Sequence, residues 1–206
     1  VWAIPPTLSA RAGVRSDVVS LQPSGPVTVG IALPVPEPWG TLVREARIGY
    51  GEGRAEHIPT HITLLPPTET TAERLEELLV HLAELARRSP SFEVVLRGTG
   101  TFRPVSDVVY IQVAQGVSSC EQLQHGVRNG PVWRPLDFPY HPHVTLAHDL
   151  PHATLDRAFA EFADLAAEFE AKEFVVYVHH GDEVWRPLVT FELAGVPVAD
   201  EVQPQT

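Results

Sequence analysis

Methionine is absent from all 206 residues, the first position included, and cysteine occurs once, as Cys120. A chain without an initiator is expected to be a processed or partial one, so spacings are taken as they stand. One cysteine excludes an intrachain disulfide framework and favours a reducing, cytoplasmic setting. Positive charge is scarce: 15 Lys and Arg stand against 26 Asp and Glu, a formal net charge of −11. Gripping long nucleic acid needs clustered cations, so none is expected as a partner. A small phosphate ester, or one end of an RNA, stays compatible with a few locally converging positive groups. No apolar run reaches membrane-spanning length; Val27 to Val35 is interrupted by Gly30 and Pro34. A secretory leader is not recognisable. No membrane association is expected, and the protein is read as a monomer.

Apolar residues make up 44% of the chain, enough for one ordinary core. Residues 1–26, with Pro5, Pro6, Pro23 and Pro26 and no sustained period, read as an N-terminal extension open to disorder. Residues 27–194 read as the folded domain and 195–206 as a tail. Val27 to Leu33 predicts a strand, and Pro36-Glu37-Pro38 opens a helix running roughly to Arg47. His61 to Leu65 predicts a short strand closed by Pro66-Pro67. Thr70-x-x-Glu73 reads as a capping box before a helix with Leu75, Leu78, Leu79, Leu82 and Leu85 on one stripe. Phe92 to Phe102 and Val108 to Ala114 predict a hairpin. Ser118-x-x-Glu121 predicts a helix start, with Gly130 as its end.

The pattern then recurs. His143 to Leu146 predicts a strand. Pro151 opens a helix whose apolar face holds Leu155, Phe159, Phe162, Leu165 and Phe169. Phe174 to His179 and Val184 to Leu193 predict a second hairpin. His61 to Phe92 is 31 positions, and so is His143 to Phe174. A repeat of 82 positions is too long for a stacked solenoid unit. The expected fold is therefore α+β and bilobal, two pseudo-symmetric lobes of antiparallel sheet plus helices around a central cleft.

Side chains alternate between the faces of a strand. His61 and Thr63 thus point one way and Ile62 and Leu64 the other; His143 and Thr145 oppose Val144 and Leu146 in the same manner. Two such strands would present two imidazoles and two hydroxyls across a cleft. That set suits phosphodiester cleavage without a metal or other cofactor. A neutral imidazole takes a proton from the attacking group, a protonated one gives a proton to the leaving oxygen, and the hydroxyls hold the non-bridging oxygens. Which histidine is acid and which base is not fixed by a near-symmetric motif. One His-x-Thr is uninformative, and the bland reading makes these residues polar strand ends. The same four-residue pattern twice, each time before a helix, is far rarer.

The runs Ile58-Pro59-Thr60-His61-Ile62-Thr63-Leu64-Leu65-Pro66-Pro67 and Phe138-Pro139-Tyr140-His141-Pro142-His143-Val144-Thr145-Leu146-Ala147-His148 resemble the tandem signature of the 2H phosphoesterase superfamily. The bacterial 2′-5′ RNA ligase-like, RNA 2′,3′-cyclic phosphodiesterase branch is the nearer likeness, over roughly Val27 to Leu193. The resemblance implies a bilobal α+β enzyme without a catalytic metal. It further implies action on 2′,3′-cyclic phosphate or 2′-5′-linked nucleotides or RNA ends. Some relatives carry an aromatic or basic residue after each motif, where Pro66-Pro67 and Ala147-His148 stand here.

Other residues invite weaker readings. His141, His143 and His148 have spacing a metal could use, which gives a metal-dependent hydrolase as an alternative. A non-catalytic nucleotide-binding module is another. Tyr140, as the aromatic nearest the second motif, is a candidate substrate-binding residue, ahead of Trp133 and Phe138. Arg103 and Arg186 could reach a phosphate, although solvated turn arginines are the default. His57 and His179-His180 read as surface, and Cys120 as lacking a base partner.

Overall fold

The structure is a computed structural model that describes residues 14–16, 27–179, 181–182 and 184–196. Apart from the strand β1 (Val14–Ser16), the segment expected to be an N-terminal extension lies outside the described residues, as do positions 197–206 of the expected tail. The chain continues through β2 (Val27–Pro34), α1 (Trp39–Gly49), a 3-10 turn (Gly53–Glu56), β3 (His61–Thr70), α2 (Ala72–Arg88), β4 (Phe92–Thr101) and β5 (Val108–Gln115). It ends with α3 (Val117–Arg128), β6 (His143–His148), α4 (His152–Glu161), β7 (Ala166–Ala171), β8 (Glu173–His179) and β9 (Arg186–Glu192). No described helix is long and apolar enough to cross a membrane.

The strands form one antiparallel sheet in the order β1-β9-β8-β2-β3-β6-β5-β4-β7. Its two lobes join where β3 meets β6, through the single registered pair Ile62↔Val144. The fold is therefore α+β with two lobes, as expected, and the two His-x-Thr strands are the seam. The repeat begins one strand and one helix earlier than the sequence suggests, and ends one strand sooner. β2-α1-β3-α2-β4 and β5-α3-β6-α4-β8 are equivalent, with β7 inserted in the second. Each unit's last strand is exchanged: β4 follows β3 but pairs with β5 beside β6, and β8 follows β6 but pairs with β2 beside β3. Phe92 and Phe174, the matched pair 31 positions after each histidine, are the first and second residues of these exchanged strands.

Burial explains why the exchange holds. The core runs through both lobes, with Ile31, Leu33, Ile62, Leu64, Val94, Ile111, Val144, Leu146, Phe174 and Phe191 each at most 1% exposed. α2 lays Leu75, Leu78, Leu79 and Leu82 against it, the stripe predicted from the sequence. α1 contacts β6 and α3 contacts β3, so these helices cross the seam in opposite directions.

Several predicted boundaries move. β3 does not stop at Pro66-Pro67 but runs through both to Thr70. β6 has parted from it by then, so the prolines interrupt no ladder on that side. The cap of α2 is Thr71, whose hydroxyl accepts from the Arg74 N–H at 3.3 Å, rather than Thr70. α3 starts after Gly116 in the left-handed region (φ 90°), with no side-chain cap from Ser118, and it closes at Arg128. α4 ends at Glu161, so Phe169 is not on a helix; it lies in β7 opposite Val94 of β4. No glycine or proline marks that change of state, and pairing with the β4 edge overrides the helical spacing.

Candidate active site

Each His-x-Thr strand carries the same irregularity. In β3, Ala32 faces Thr63 and Ile31 faces Leu65, leaving Leu64 as an extra residue; in β6, Tyr110 faces Thr145 and Val109 faces Ala147, leaving Leu146 extra. A bulge of this kind bends a strand and re-aims the side chains after it. Both leucines are buried, at 1% and 0% exposure. They anchor the strands from behind while the histidine and threonine before them stay partly exposed on the cleft side.

The imidazoles are held identically. His61 Nδ1 lies 2.6 Å from the Pro59 carbonyl oxygen, and His143 Nδ1 lies 2.7 Å from that of His141. A carbonyl only accepts, so Nδ1 carries the proton in both rings and the lone pair is left on Nε2. Burial pushes both histidines below the ordinary imidazole value, against the raising effect of the carbonyl contacts. The positive charge of Arg47, and then His143, pushes His61 down further, while His141 does the same to His143.

The surroundings of the two rings differ. A cavity of about 200 Å³ holds His61, Thr63 and Thr145 together with His148, Tyr177 and Trp185. A second, of about 370 Å³, holds His143 and Thr63 with Phe102, Phe138, Tyr140 and His141. Thr63 is common to both, so the four motif residues sit at the junction. Ala32 opposite Thr63 is small and leaves room beside His61. Its counterpart Tyr110 fills that room in the other lobe and packs on the His143 ring, centroids 5.2 Å apart. Phe102 meets the same ring edge-on at 5.1 Å. In the first lobe, Ala32, Val175 and Tyr177 form a small cluster closed by Trp185, whose indole lies over Gly30; a Cβ there would come within 3.2 Å of it.

Arg47 and Glu52 complete the His61 side as a buried ion pair, Nη2 to Oε1 at 2.8 Å and Nε to Oε2 at 3.1 Å. Sequence reading missed Arg47, Phe102, Tyr110, Tyr177 and Trp185. Only Gly30 and Gly100, each placed under an aromatic ring, hinted at two of them.

The remaining candidates are dispersed. Tyr140 lines the larger cavity but donates its hydroxyl to the Thr63 carbonyl at 2.9 Å, tying its loop to β3; burial raises its pKa. Phe138 and Trp133 are 65% and 58% exposed. Arg103 pairs with Asp156 of α4 at 2.9 Å and Arg186 with Asp182 at 2.7 Å, so both guanidiniums are held in ion pairs rather than simply solvated. His148 lines the His61 cavity while His143 lines the other. Among the described residues no three His, Cys, Asp or Glu side chains converge as a metal site. Cys120 is buried, and that burial pushes its thiol up to about 12.

Comparison with solved structures returns the same overall fold. E. coli LigT complexed with 3′-AMP superposes with a TM-score of 0.58 at 24% identity, over 82% of this chain and 99% of that one. LigT complexed with ATP matches at 0.54 and 25%, over 82% and 99%. The sequence profile of the 2′-5′ RNA ligase superfamily matches residues 34–183, and the chain belongs to that superfamily. A Bacillus mycoides protein, named provisionally as a phosphoesterase, is 30% identical over 117 residues, 57% of this chain and 63% of that protein. The chain thus spans less than two thirds of that relative's length.

Proposed function

We propose that this protein is a metal-independent phosphoesterase acting on 2′,3′-cyclic phosphate, or 2′-5′-linked, nucleotides or RNA ends, with residues 27–194 as the working unit. The observation that carries this reading is the twinned carbonyl contact. Two imidazoles on equivalent strands have Nδ1 engaged in the same way and Nε2 left over, beside two threonine hydroxyls. Among the described residues, no group of three His, Cys, Asp or Glu side chains could hold a metal ion. E. coli LigT, a structural neighbour, takes ATP and 3′-AMP, in keeping with a small phosphoester ligand here.

In the reaction, neutral Nε2 of one histidine accepts a proton from water as its oxygen bonds to phosphorus. The protonated Nε2 of the other gives its proton to the ribose oxygen as the P–O bond to it breaks. The product is a phosphomonoester. Thr63 and Thr145 donate to the non-bridging oxygens, where negative charge grows. The low histidine pKa values favour the base form, and the phosphate's own charge favours the imidazolium form of the acid once substrate is bound.

The test is hydrolysis of a 2′,3′-cyclic nucleotide and of a short RNA with a 2′,3′-cyclic end, in EDTA, by wild type, His61→Ala and His143→Ala. Activity that survives EDTA and is lost in both folded variants supports the reading. Loss in EDTA restores the metal alternative. Nucleotide binding without turnover leaves the binding-module alternative.

A further inference from the structure

The smaller cavity holds two polar groups that the proposed chemistry does not use. Arg47 and Arg54 are the arginines that line it, and Glu52 is its one carboxylate. Arg47 and Glu52 neutralise each other through their paired bonds. Arg54, on the 3-10 turn ahead of β3, makes no ion pair or side-chain hydrogen bond among the described residues. Arg87, Arg157 and Arg186 by contrast each face a carboxylate, at 2.5, 3.9 and 2.7 Å. Tyr177, on β8, is the second group. Its hydroxyl makes no hydrogen bond among the described residues and is not sealed from solvent. Burial pushes its pKa up to about 12, so at neutral pH it keeps its proton and donates.

Charge and size say what kind of ligand fits. With Arg47 and Glu52 cancelling, and His148 Nε2 facing Asp149 at 3.2 Å, the lining keeps one uncompensated guanidinium in a chain of net charge −11. Ile31, Ala32, Leu65 and Trp185 supply apolar walls beside it, and a charge-assisted hydrogen bond is stronger where water is displaced. The volume of about 200 Å³ falls below the roughly 300–1,000 Å³ of ordinary small-molecule pockets, so a compact anion fits and a whole nucleoside does not. The reacting phosphate is already served at the junction of the two cavities by Thr63, Thr145 and the imidazoles. Arg54 lines only the smaller cavity, to one side of that junction. In a ribonucleotide the next anion lies one sugar away, on the 5′ oxygen.

We infer that the smaller cavity takes a second phosphate of the substrate, the one on the ribose 5′ oxygen, between the Arg54 guanidinium and the Tyr177 hydroxyl. The inference rests on the phosphoesterase reading and narrows it. The substrate carries a 5′-linked phosphate, as the last nucleotide of an RNA or a 5′-phosphorylated mononucleotide does, and a nucleoside cyclic phosphate without one is a poorer fit. A single local cation suffices for this, without the long basic surface that the composition denies.

The experiment compares adenosine 2′,3′-cyclic phosphate with its 5′-phosphorylated form and with the dinucleotide ApA ending in a 2′,3′-cyclic phosphate. Wild type, Arg54→Gln, Arg54→Lys and Tyr177→Phe are assayed as full chains. In Arg54→Gln the ratio of kcat/KM, 5′-phosphorylated to unphosphorylated ester, is expected to fall about tenfold, and in Tyr177→Phe several-fold. Arg54→Lys keeps the charge and should recover part of the ratio. The groups removed have no partners among the described residues, so the variants should melt with wild type. A fall in the ratio for ApA alone assigns the cavity to RNA ends, and for the mononucleotide alone to a terminal 5′-phosphate; either supports the inference. An equal fall on all three esters, or no change in either ratio, overturns it. If wild type hydrolyses none of them, the phosphoesterase reading fails separately, and calorimetric titration with adenosine 5′-monophosphate and adenosine decides the cavity. Binding of the monophosphate weakened about tenfold by Arg54→Gln, with adenosine unaffected, supports it. No binding, or binding unaltered by the substitution, overturns it.

Discussion

Ile62 of β3 and Val144 of β6 face each other as the registered pair that joins the two lobes, and both are 0% exposed. Each sits between the histidine and threonine of its motif. The seam of the sheet and the spacing of the candidate catalytic rings are therefore one structural feature. Ile62→Ala should cost about 2–5 kcal/mol in urea denaturation, as for other buried large-to-small changes. It should also lower kcat on a cyclic nucleotide well below that of Leu78→Ala, a comparable cavity in α2 remote from the seam. Equal activity in the two variants at a temperature where both are folded would separate the seam from the chemistry.

Burial holds both His61 and His143 below the usual imidazole pKa. The kcat/KM profile reports the free enzyme, so its optimum, between the two values, should lie on the acid side of pH ~6.5. Stability follows the same shift. The unfolded chain takes up these protons near pH ~6.5 while the folded chain resists them to lower pH. Stability is thus fully present above about pH 6.5 and declines as pH falls through the window between the unfolded and folded values. Urea midpoints at pH 7.5 and 5.5 should differ in wild type and differ less in a His61→Gln, His143→Gln double variant.

The motif was open to sequence reading because its chemistry is local: a period of two places His and Thr on one face, and a repeat puts two such faces together. The α2 stripe was legible for the same reason, since it follows from the turn of one helix. Strand exchange was not legible, because β4 and β8 read the same whether they pair in their own lobe or the other. Nor was β7, where the spacing of Leu165 and Phe169 continues a helical stripe and only the free edge of β4 makes it a strand. The walls of the site come from residues distant in sequence. Arg47 and Trp185 meet His61 in one cavity with no local pattern to announce them.

Arg47 and Glu52 line that cavity as a pair with side chains 5% and 9% exposed. Arg47→Met alone leaves Glu52 buried and uncompensated and should cost about 3–5 kcal/mol, whereas Arg47→Met with Glu52→Leu should recover most of it. The double variant also removes the cation that disfavours protonated His61. Its His61 should therefore titrate higher, moving one limb of the kcat/KM profile toward alkaline pH. We expect the acid limb to move, with His61 as the base. Movement of the alkaline limb instead would make His61 the acid.

Tyr110 transmits a constraint to His143 from the strand beside it. Gly100, its partner across β4 and β5, has no Cβ, and one built there would meet the Tyr110 ring at 2.5 Å. Tyr110 has nowhere to go, being 8% exposed and packed on Phe102, His141 and His143. Gly100→Ala should therefore cost about 1–3 kcal/mol by overpacking. It should also push the Tyr110 ring toward His143 and, if that imidazole is the proposed acid or base, lower kcat, because small displacements of such a group are costly. Adding Tyr110→Leu relieves the clash and should restore stability. It removes the wall behind His143 as well, so activity should stay low. If the double variant regained full kcat, Tyr110 would be filling space rather than holding the imidazole in place.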